Sequence, residues 1–481
     1  MHRDWRYYVT ANKKRCGTGE VNRMKLAMVI AETNEEVASA QTVAGECSPQ
    51  IDALFAEWDR ADSPGAAVAV LRQGEVIHQR GYGMANLDHG IPLDADSVFH
   101  VASVSKQFTA IAIALLAHEG RLALDDDIRT HVPELPDLGA SITIRHCLHH
   151  TSGLRDQYGL FRLAGWRDDD TQTFDDVLDF AYRHERLNFT PGDEYRYCNT
   201  SYTLLALIVE RVSGQKFRAF VQERLLDPAG MTSSHIHDDH SAIVPRRTSA
   251  YAAREGDAAD FKVANSTVSA VGAICLFTTA ADLARWVRNY QTQFVAGEIL
   301  EQAMTSGTLN SGALTHYGFG LSVGGYRGQR TIGHSGGDSG YRAQVTWFPE
   351  TDLGVVILCN LGKMEPGMLA LKVADIVIAD QLGGDDVADA PVVETSAYEL
   401  AALRRKTTPV VDPVAIVGDS TFGGPGRRSV PDDSSNLLVH WHKYRGAGAV
   451  TFARARVPVA VGILSGLVDV EGVMRVLDQR D

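Results

Sequence analysis

Ser103 and Lys106 stand three residues apart in Ser103-Val104-Ser105-Lys106. On a helix, positions i and i+3 share one face about one turn apart, so a hydroxyl and an amine at that spacing can touch. A serine hydroxyl is a weak nucleophile until a neighbouring base takes its proton. A lysine desolvated in apolar surroundings has its pKa lowered toward neutrality and can be that base. At the start of a helix, Ser103 would also meet the macrodipole, which favours developing negative charge. Read alone, S-x-x-K is a common pattern and a solvent-facing pair is the reading it favours; the apolar residues flanking this one make an idle lysine costly.

Two further groups could complete such chemistry. In Tyr197-Cys198-Asn199, residues two apart in an extended or looped segment point the same way, so a phenol and an amide can reach one pocket. Tyr197 suits proton transfer and Asn199 suits holding a substrate amide; a core tyrosine beside a turn asparagine is the alternative. In His334-Ser335-Gly336-Gly337, small residues let a substrate lie along a strand edge and leave a main-chain N–H free as an oxyanion donor. Gly333 to Gly337 also match G-x-S-x-G, but that elbow needs a strand entering and a helix leaving. The run after it, 342–348, reads as a strand, so Ser335 is not the expected nucleophile. His146, His149 and His150 have no carboxylate or cysteine arrangement that would complete a metal site. No metal and no cofactor are expected.

The elements that must position these groups can be read coarsely. Apolar spacing predicts a helix over 50–59, a hairpin from 65–71 and 76–82, and a buried helix over 103–117 that stops at Gly120. Residues 140–240 read as helix-rich. Strands are expected near 317–323 and 329–333, with His334–Gly337 following the latter. A second hairpin is expected from 342–348 and 354–359, then a helix over 368–382. This divides the chain into an N-terminal extension over 1–48, a main body over 49–384 and a C-terminal segment of unknown role over 385–481. In that last segment, signals are weak until 449–467, and Gly423-Gly424-Pro425-Gly426 reads as linker.

Composition bounds the function. The 481 residues are 44% hydrophobic and 22% charged, an ordinary globular mixture. A net charge of −14 argues against nucleic acid as a partner, because that affinity is built on Lys and Arg. The longest apolar run, 110–117, is far below the roughly 18–20 residues that span a bilayer, so no membrane span is expected. Six scattered cysteines without a C-x-x-C pair read as reduced, buried thiols. The expected location is the cytoplasm, with export from an internal start at Met24 as the alternative. Oligomeric state is left open.

Taken in this order, the three motifs resemble the penicillin-recognising serine hydrolases, which include class C β-lactamases, DD-peptidases, D-aminopeptidases and β-lactamase-like esterases. The likeness covers about residues 50–383 and extends to Ala102–Thr109, Leu148-His-His-Thr-Ser-Gly-Leu154 and Tyr317-Gly-Phe-Gly-Leu321. It implies an α/β fold of the α+β type, an antiparallel sheet flanked by helices beside an all-helical subdomain, with the site between them. It also implies Ser103 as the acylated nucleophile, Lys106 as its base, Tyr197 as proton relay, Asn199 as substrate holder, and the N–H groups of Ser103 and Gly337 as the oxyanion hole. His334, Gly336 and Gly337 would line the substrate strand.

One departure stands out: many relatives have Lys where this chain has His334. A mostly neutral imidazole attracts a substrate carboxylate less than an ammonium does, which disfavours β-lactams. Ser152-Gly-Leu-Arg-Asp156 looks like D-aminopeptidases; Arg155 is either a replacement charge near the cleft or a surface ion-pair partner. The expected activity is hydrolysis, through an acyl-enzyme, of a small amide or peptide, D-residue-containing ones included, or of a short-chain ester. The alternatives are a β-lactamase-like carboxylesterase, a non-catalytic binding protein on the same scaffold, and a metallohydrolase built on the His146 cluster.

Overall fold

The computed structural model describes residues 47–384 except 168, 255 and 256, together with 438–444 and 447–453. The expected extension, apart from residues 47 and 48, lies outside the described residues, as do the Met24 start and the Gly423–Gly426 linker. Of the C-terminal segment, two antiparallel strands are described, Leu438–Tyr444 and Ala447–Ala453.

Six strands form the main sheet: β1 (Ala66–Arg72), β2 (Glu75–Tyr82), β3 (Ser322–Tyr326), β4 (Gln329–Asp338), β5 (Tyr341–Phe348) and β6 (Leu353–Cys359). Their spatial order is β3-β4-β5-β6-β1-β2, and every pair is antiparallel. The β6–β1 pair joins distant parts of the chain, with Ala66 opposite Cys359 and Arg72 opposite Leu353. Both of these inner strands are apolar at nearly every position because both faces of the sheet are covered. Five helices matter here: α1 (47–55), α2 (Lys106–His118), α3 (Asn199–Ser213), α4 (Ala280–Thr292) and α5 (Pro366–Val377). Side chains alternate along β1. Val68 and Val70 join Ile51, Phe55, Leu369 and Val373, from α1 and α5. Ala67, Ala69 and Leu71 join Leu283, Trp286 and Tyr290 of α4, within the larger core that runs on into the helical region. This α/β arrangement is the one expected.

α2 and α3 are buried along most of their length, α2 from Lys106 through Ala114 without a break. The expected helix over 103–117 divides in two. Residues Ala102–Ser105 form a 3₁₀ turn, and the α-helix proper starts at Lys106. Polar side chains lock that junction: Ser105 Oγ donates to Ala102 O at 2.6 Å and accepts from Leu276 N at 2.9 Å.

Two strand expectations need correction. The stretch 317–321 alternates apolar residues and glycines as a strand would, yet it turns, with Gly318 N donating to Leu321 O, and β3 starts only at Ser322. Gly320 has φ +70°, and a Cβ there would sit 2.5 Å from the carbonyl oxygen of Lys106. Conversely, β4 does not stop at Gly333 but runs through His334-Ser335-Gly336-Gly337 to Asp338. Gly336 serves a close approach: a Cβ there would lie 2.2 Å from Val101 O. Ser335 is therefore mid-strand, not at a strand-to-helix elbow.

Gly320→Ala tests how tightly this turn clamps the start of α2. Left-handed strain and the clash with Lys106 O should together cost about 2 kcal/mol or more. At roughly 2–4 °C per kcal/mol, calorimetry should find Tm lowered by several degrees. An unchanged Tm would remove the packing argument.

Candidate active site

A 3₁₀ turn has about three residues per turn, so positions i and i+3 eclipse. That local geometry stacks Ser103 over Lys106, and Lys106 Nζ donates to Ser103 Oγ at 3.1 Å. Ser103 is partly exposed, whereas Lys106 is 0% exposed. The ammonium is satisfied by two more acceptors, Asn199 Oδ1 at 2.8 Å and Ala273 O at 2.9 Å. It also lies 4.6 Å from the ring centre of Tyr197 and 5.6 Å from that of Tyr202. Burial pulls the Lys106 pKa down to about 7, while Asp156 and Cys198 oppose the shift. Its place in the first turn of α2, where the macrodipole disfavours a cation, acts in the same downward direction.

Asn199 is the first residue of α3, not part of an extended run with Tyr197. Helix geometry aims its amide at Lys106, and Asp156 sets which end arrives. Asp156 Oδ2 accepts from Asn199 N at 2.6 Å and from Asn199 Nδ2 at 2.9 Å, leaving Oδ1 for the ammonium. Burial raises the Asp156 pKa, with the two Asn199 hydrogen bonds, the Tyr158 N–H and Lys106 acting the other way.

Tyr197 precedes α3 and is held through His150. The His150 carbonyl accepts from Arg196 N at 2.9 Å, its Nδ1 accepts from Cys198 N at 3.1 Å, and the two rings are 4.3 Å apart. His150 takes φ +59° to make this grip, and is itself 0% exposed. The Tyr197 hydroxyl is buried and makes no hydrogen bond of normal geometry. Burial pushes its pKa well above that of a free phenol, and the nearby Ser103 hydroxyl is the largest opposing influence.

His334 lies on β4 with 1% exposure, its Nε2 2.8 Å from the Tyr317 hydroxyl and its Nδ1 against Ser335 O. Burial, and then the Lys106 charge, lower its pKa to about 3. The imidazole is thus neutral, more firmly than its residue type alone required.

Register settles which main-chain groups of β4 are free. Asp338 pairs with Tyr341 across the two-residue turn Ser339-Gly340, so those two residues exchange their hydrogen bonds and Gly337, opposite Arg342, does not. Its N–H points to the other edge, which β3 has left, since β3 pairs with β4 only as far as Gly333. Val101–Ser103 packs on the face of the strand beside that edge: the position of a Cβ on Gly336 is 3.3 Å from Ser103 N. All seven residues singled out in the sequence therefore converge: Ser103, Lys106, Tyr197, Asn199, His334, Gly336 and Gly337.

Asp156 and His150 were not singled out for these tasks. Asp156 caps the helix Gln157–Leu163, a sufficient reason for an aspartate at that place, and His150 sits in a histidine cluster weighed only as metal ligands. Arg155 acts on His184, whose pKa its charge helps to lower. Among the described residues, no group of His, Cys, Asp and Glu could hold a metal ion, and no helix is long and apolar enough to cross a membrane.

Comparison with known proteins gives the family. Penicillin-binding protein 4* of Bacillus subtilis (strain 168) is 29% identical over 351 residues, 69% of this chain and 76% of that protein. The D-aminopeptidase of Brucella anthropi is 28% identical over 299 residues, 62% of this chain. The chain spans just over half, 56%, of that enzyme's length. Among solved structures, the octameric penicillin-binding protein homologue from Pyrococcus abyssi superposes with a TM-score of 0.61 at 24% identity, covering 69% of this chain and 77% of that one. The D-amino acid amidase from Ochrobactrum anthropi SV3 gives 0.55 at 22% identity, covering 72% and 98%. These two likenesses are of fold. Residues 51–379 match the Beta-lactamase family, and the chain belongs to that family of serine hydrolases.

Proposed function

We propose that this protein hydrolyses small amides or peptides, D-residue substrates among them, through an acyl-enzyme on Ser103. The observation that carries the reading is the Lys106 amine, buried 3.1 Å from Ser103 Oγ with a pKa of about 7. Of its three partners, Asn199 Oδ1 and Ala273 O can only accept. Only the Ser103 hydroxyl can reverse the hydrogen bond. When the ammonium loses a proton, its two remaining N–H groups keep those acceptors and the lone pair faces Ser103. A pKa lowered to about 7 brings that state within reach near neutral pH, where a general base works best.

In this reading Ser103 Oγ attacks the substrate carbonyl and passes its proton to Lys106. The N–H groups of Ser103 and Gly337 take the oxyanion. The C–N bond then breaks, and the proton reaches the departing amine from Lys106 by way of the Tyr197 hydroxyl. A phenol serves here because burial keeps it protonated, so it relays a proton without resting as an anion. Water attacks the ester by the same groups in reverse, releasing the acid and restoring Ser103. A neutral His334 gives a substrate carboxylate no cation at the third motif, so amides without one are favoured over β-lactams. The names of two similar proteins, a D-aminopeptidase and a D-amino acid amidase, support the amide class and the D-configuration. Asn199 acts on this reading mainly by positioning Lys106.

Intact-mass spectrometry after exposure to p-nitrophenyl acetate should find an acetyl adduct on the wild type and none on Ser103→Ala, whereas Ser335→Ala should still acylate. An adduct on Ser103→Ala would end the assignment. The rate of acylation should fall below about pH 7 as Lys106 is protonated. Asp156→Asn removes an anion that favours the ammonium, so this acid limb should move to lower pH; a shift upward or none would exclude Lys106 as the titrating base.

A further inference from the structure

Both nitrogens of the His334 ring are committed inside the protein. Nδ1 lies against Ser335 O, and Nε2 is 2.8 Å from the Tyr317 hydroxyl. A carbonyl oxygen only accepts, so the contact with Ser335 puts the ring proton on Nδ1. The neutral ring then holds a lone pair on Nε2, and the Tyr317 hydroxyl donates to it. The Tyr202 hydroxyl, which also acts on Tyr317, commits its own proton to Leu148 O at 2.7 Å. With Nδ1 already protonated, Nε2 is the place where the ring could gain a second N–H, and Tyr317 covers it.

Tyr317 is held so that it keeps this bond. It is 1% exposed, and its carbonyl accepts from Gly307 N at 3.0 Å, His149 Nδ1 at 2.9 Å and Thr315 Oγ1 at 3.0 Å. Its ring stands edge-on to those of His334 and Tyr197, with centroids 5.6 Å and 6.4 Å away. His334 is nevertheless beside the reacting groups, its ring centre 6.1 Å from that of Tyr197. Around it stand Tyr197, Tyr317 and His150, all kept neutral by burial, and Lys106, whose charge opposes a second proton on the imidazole as burial does. A substrate carboxylate arriving at this motif therefore meets an imidazole with no N–H to give.

We propose that Tyr317 sets the specificity of the third motif: by capping Nε2 of His334 it leaves that motif without a side-chain donor, so that binding along β4 falls to main-chain groups and a carboxylate on the leaving group is not recognised. This rests on the serine amidase reading and deepens it, because the selectivity then depends on which ring nitrogen is covered as well as on the missing charge. Tyr317 acts through His334 and is a positioning residue; it takes no part in proton transfer to the substrate.

Long-range proton–nitrogen NMR correlation on protein carrying nitrogen-labelled histidine reads the tautomer directly, with His334→Gln identifying the signals. At neutral pH the wild type and Ser103→Ala should both show His334 protonated on Nδ1 and bare on Nε2. A proton on Nε2 in the wild type overturns the proposal, and this readout needs neither turnover nor a Tyr317 variant that folds. Tyr317→Phe uncovers the lone pair, so His334 should take up its second proton at higher pH than in the wild type; an unmoved titration also overturns it. Acetylation of Ser103 by phenyl acetate and by m-carboxyphenyl acetate then tests specificity, since the two esters differ in the leaving-group carboxylate, and the ratio of their rates cancels the shared loss as Lys106 is protonated. Below neutral pH, Tyr317→Phe should raise the carboxylated ester relative to the plain one by about fivefold or more, the size of one net hydrogen bond. An unchanged ratio, or an equal fall of both rates with a lowered Tm, makes Tyr317 structural and overturns the proposal. Acetylation persisting in Ser103→Ala would instead sink the nucleophile assignment, without bearing on the tautomer.

Discussion

A lysine amine taken wholly out of water is the constraint around which this molecule is arranged. Lys106 has no carboxylate in contact; its partners are a serine hydroxyl, an asparagine carbonyl and a main-chain carbonyl. A neutral set of acceptors satisfies the donors without supplying the counter-charge that would hold the ammonium, so burial wins and the pKa falls. The nearest balancing charge, Asp156, reaches Lys106 through the Asn199 amide. That distance tempers the desolvation without cancelling it. A carboxylate in direct contact would keep the lysine protonated and useless as a base.

The same electrostatics extends to the two histidines around it. Lys106 lowers the pKa of both His150 and His334, after burial has done most of the work, so the cluster does not readily carry a second proton. His334 can then serve as a neutral hydrogen-bonding partner of Tyr317. Its neutrality follows from where it is buried and what it faces. A second lysine at that place would put two like charges into one low-dielectric pocket, and the third motif would again offer a cation to a carboxylate.

The scaffold supplies what side chains cannot. Strand β3 leaves β4 at Gly333, exposing one edge of the strand next to the 3₁₀ turn that carries Ser103. Gly336 beside that edge is a glycine because the carbonyl of Val101 occupies the space where its side chain would begin. Buried side-chain bonds from Ser105 and Thr109 to the segment 272–276 keep the turn and the helix behind it in place. Rigid elements on both sides of the cleft thus preset the geometry on which a reacting carbonyl depends.

Much of this was legible in the chain alone, where chemistry is local. Ser103 and Lys106 meet because of a spacing that any tight helical turn brings together, and the central strands and buried helices are visible as apolar runs. What escaped was whatever a distant segment imposed. Gly320 turns a strand-like run aside because Lys106 O stands against it, and Gly336 stays in its strand because Val101 does. Asp156 looks like an ordinary helix cap until Asn199 arrives from 43 residues away. Residue types and spacing determined which groups could do the chemistry. Tertiary structure decided how far their protonation shifts, because the depth of desolvation belongs to a folded interior and to no stretch of sequence.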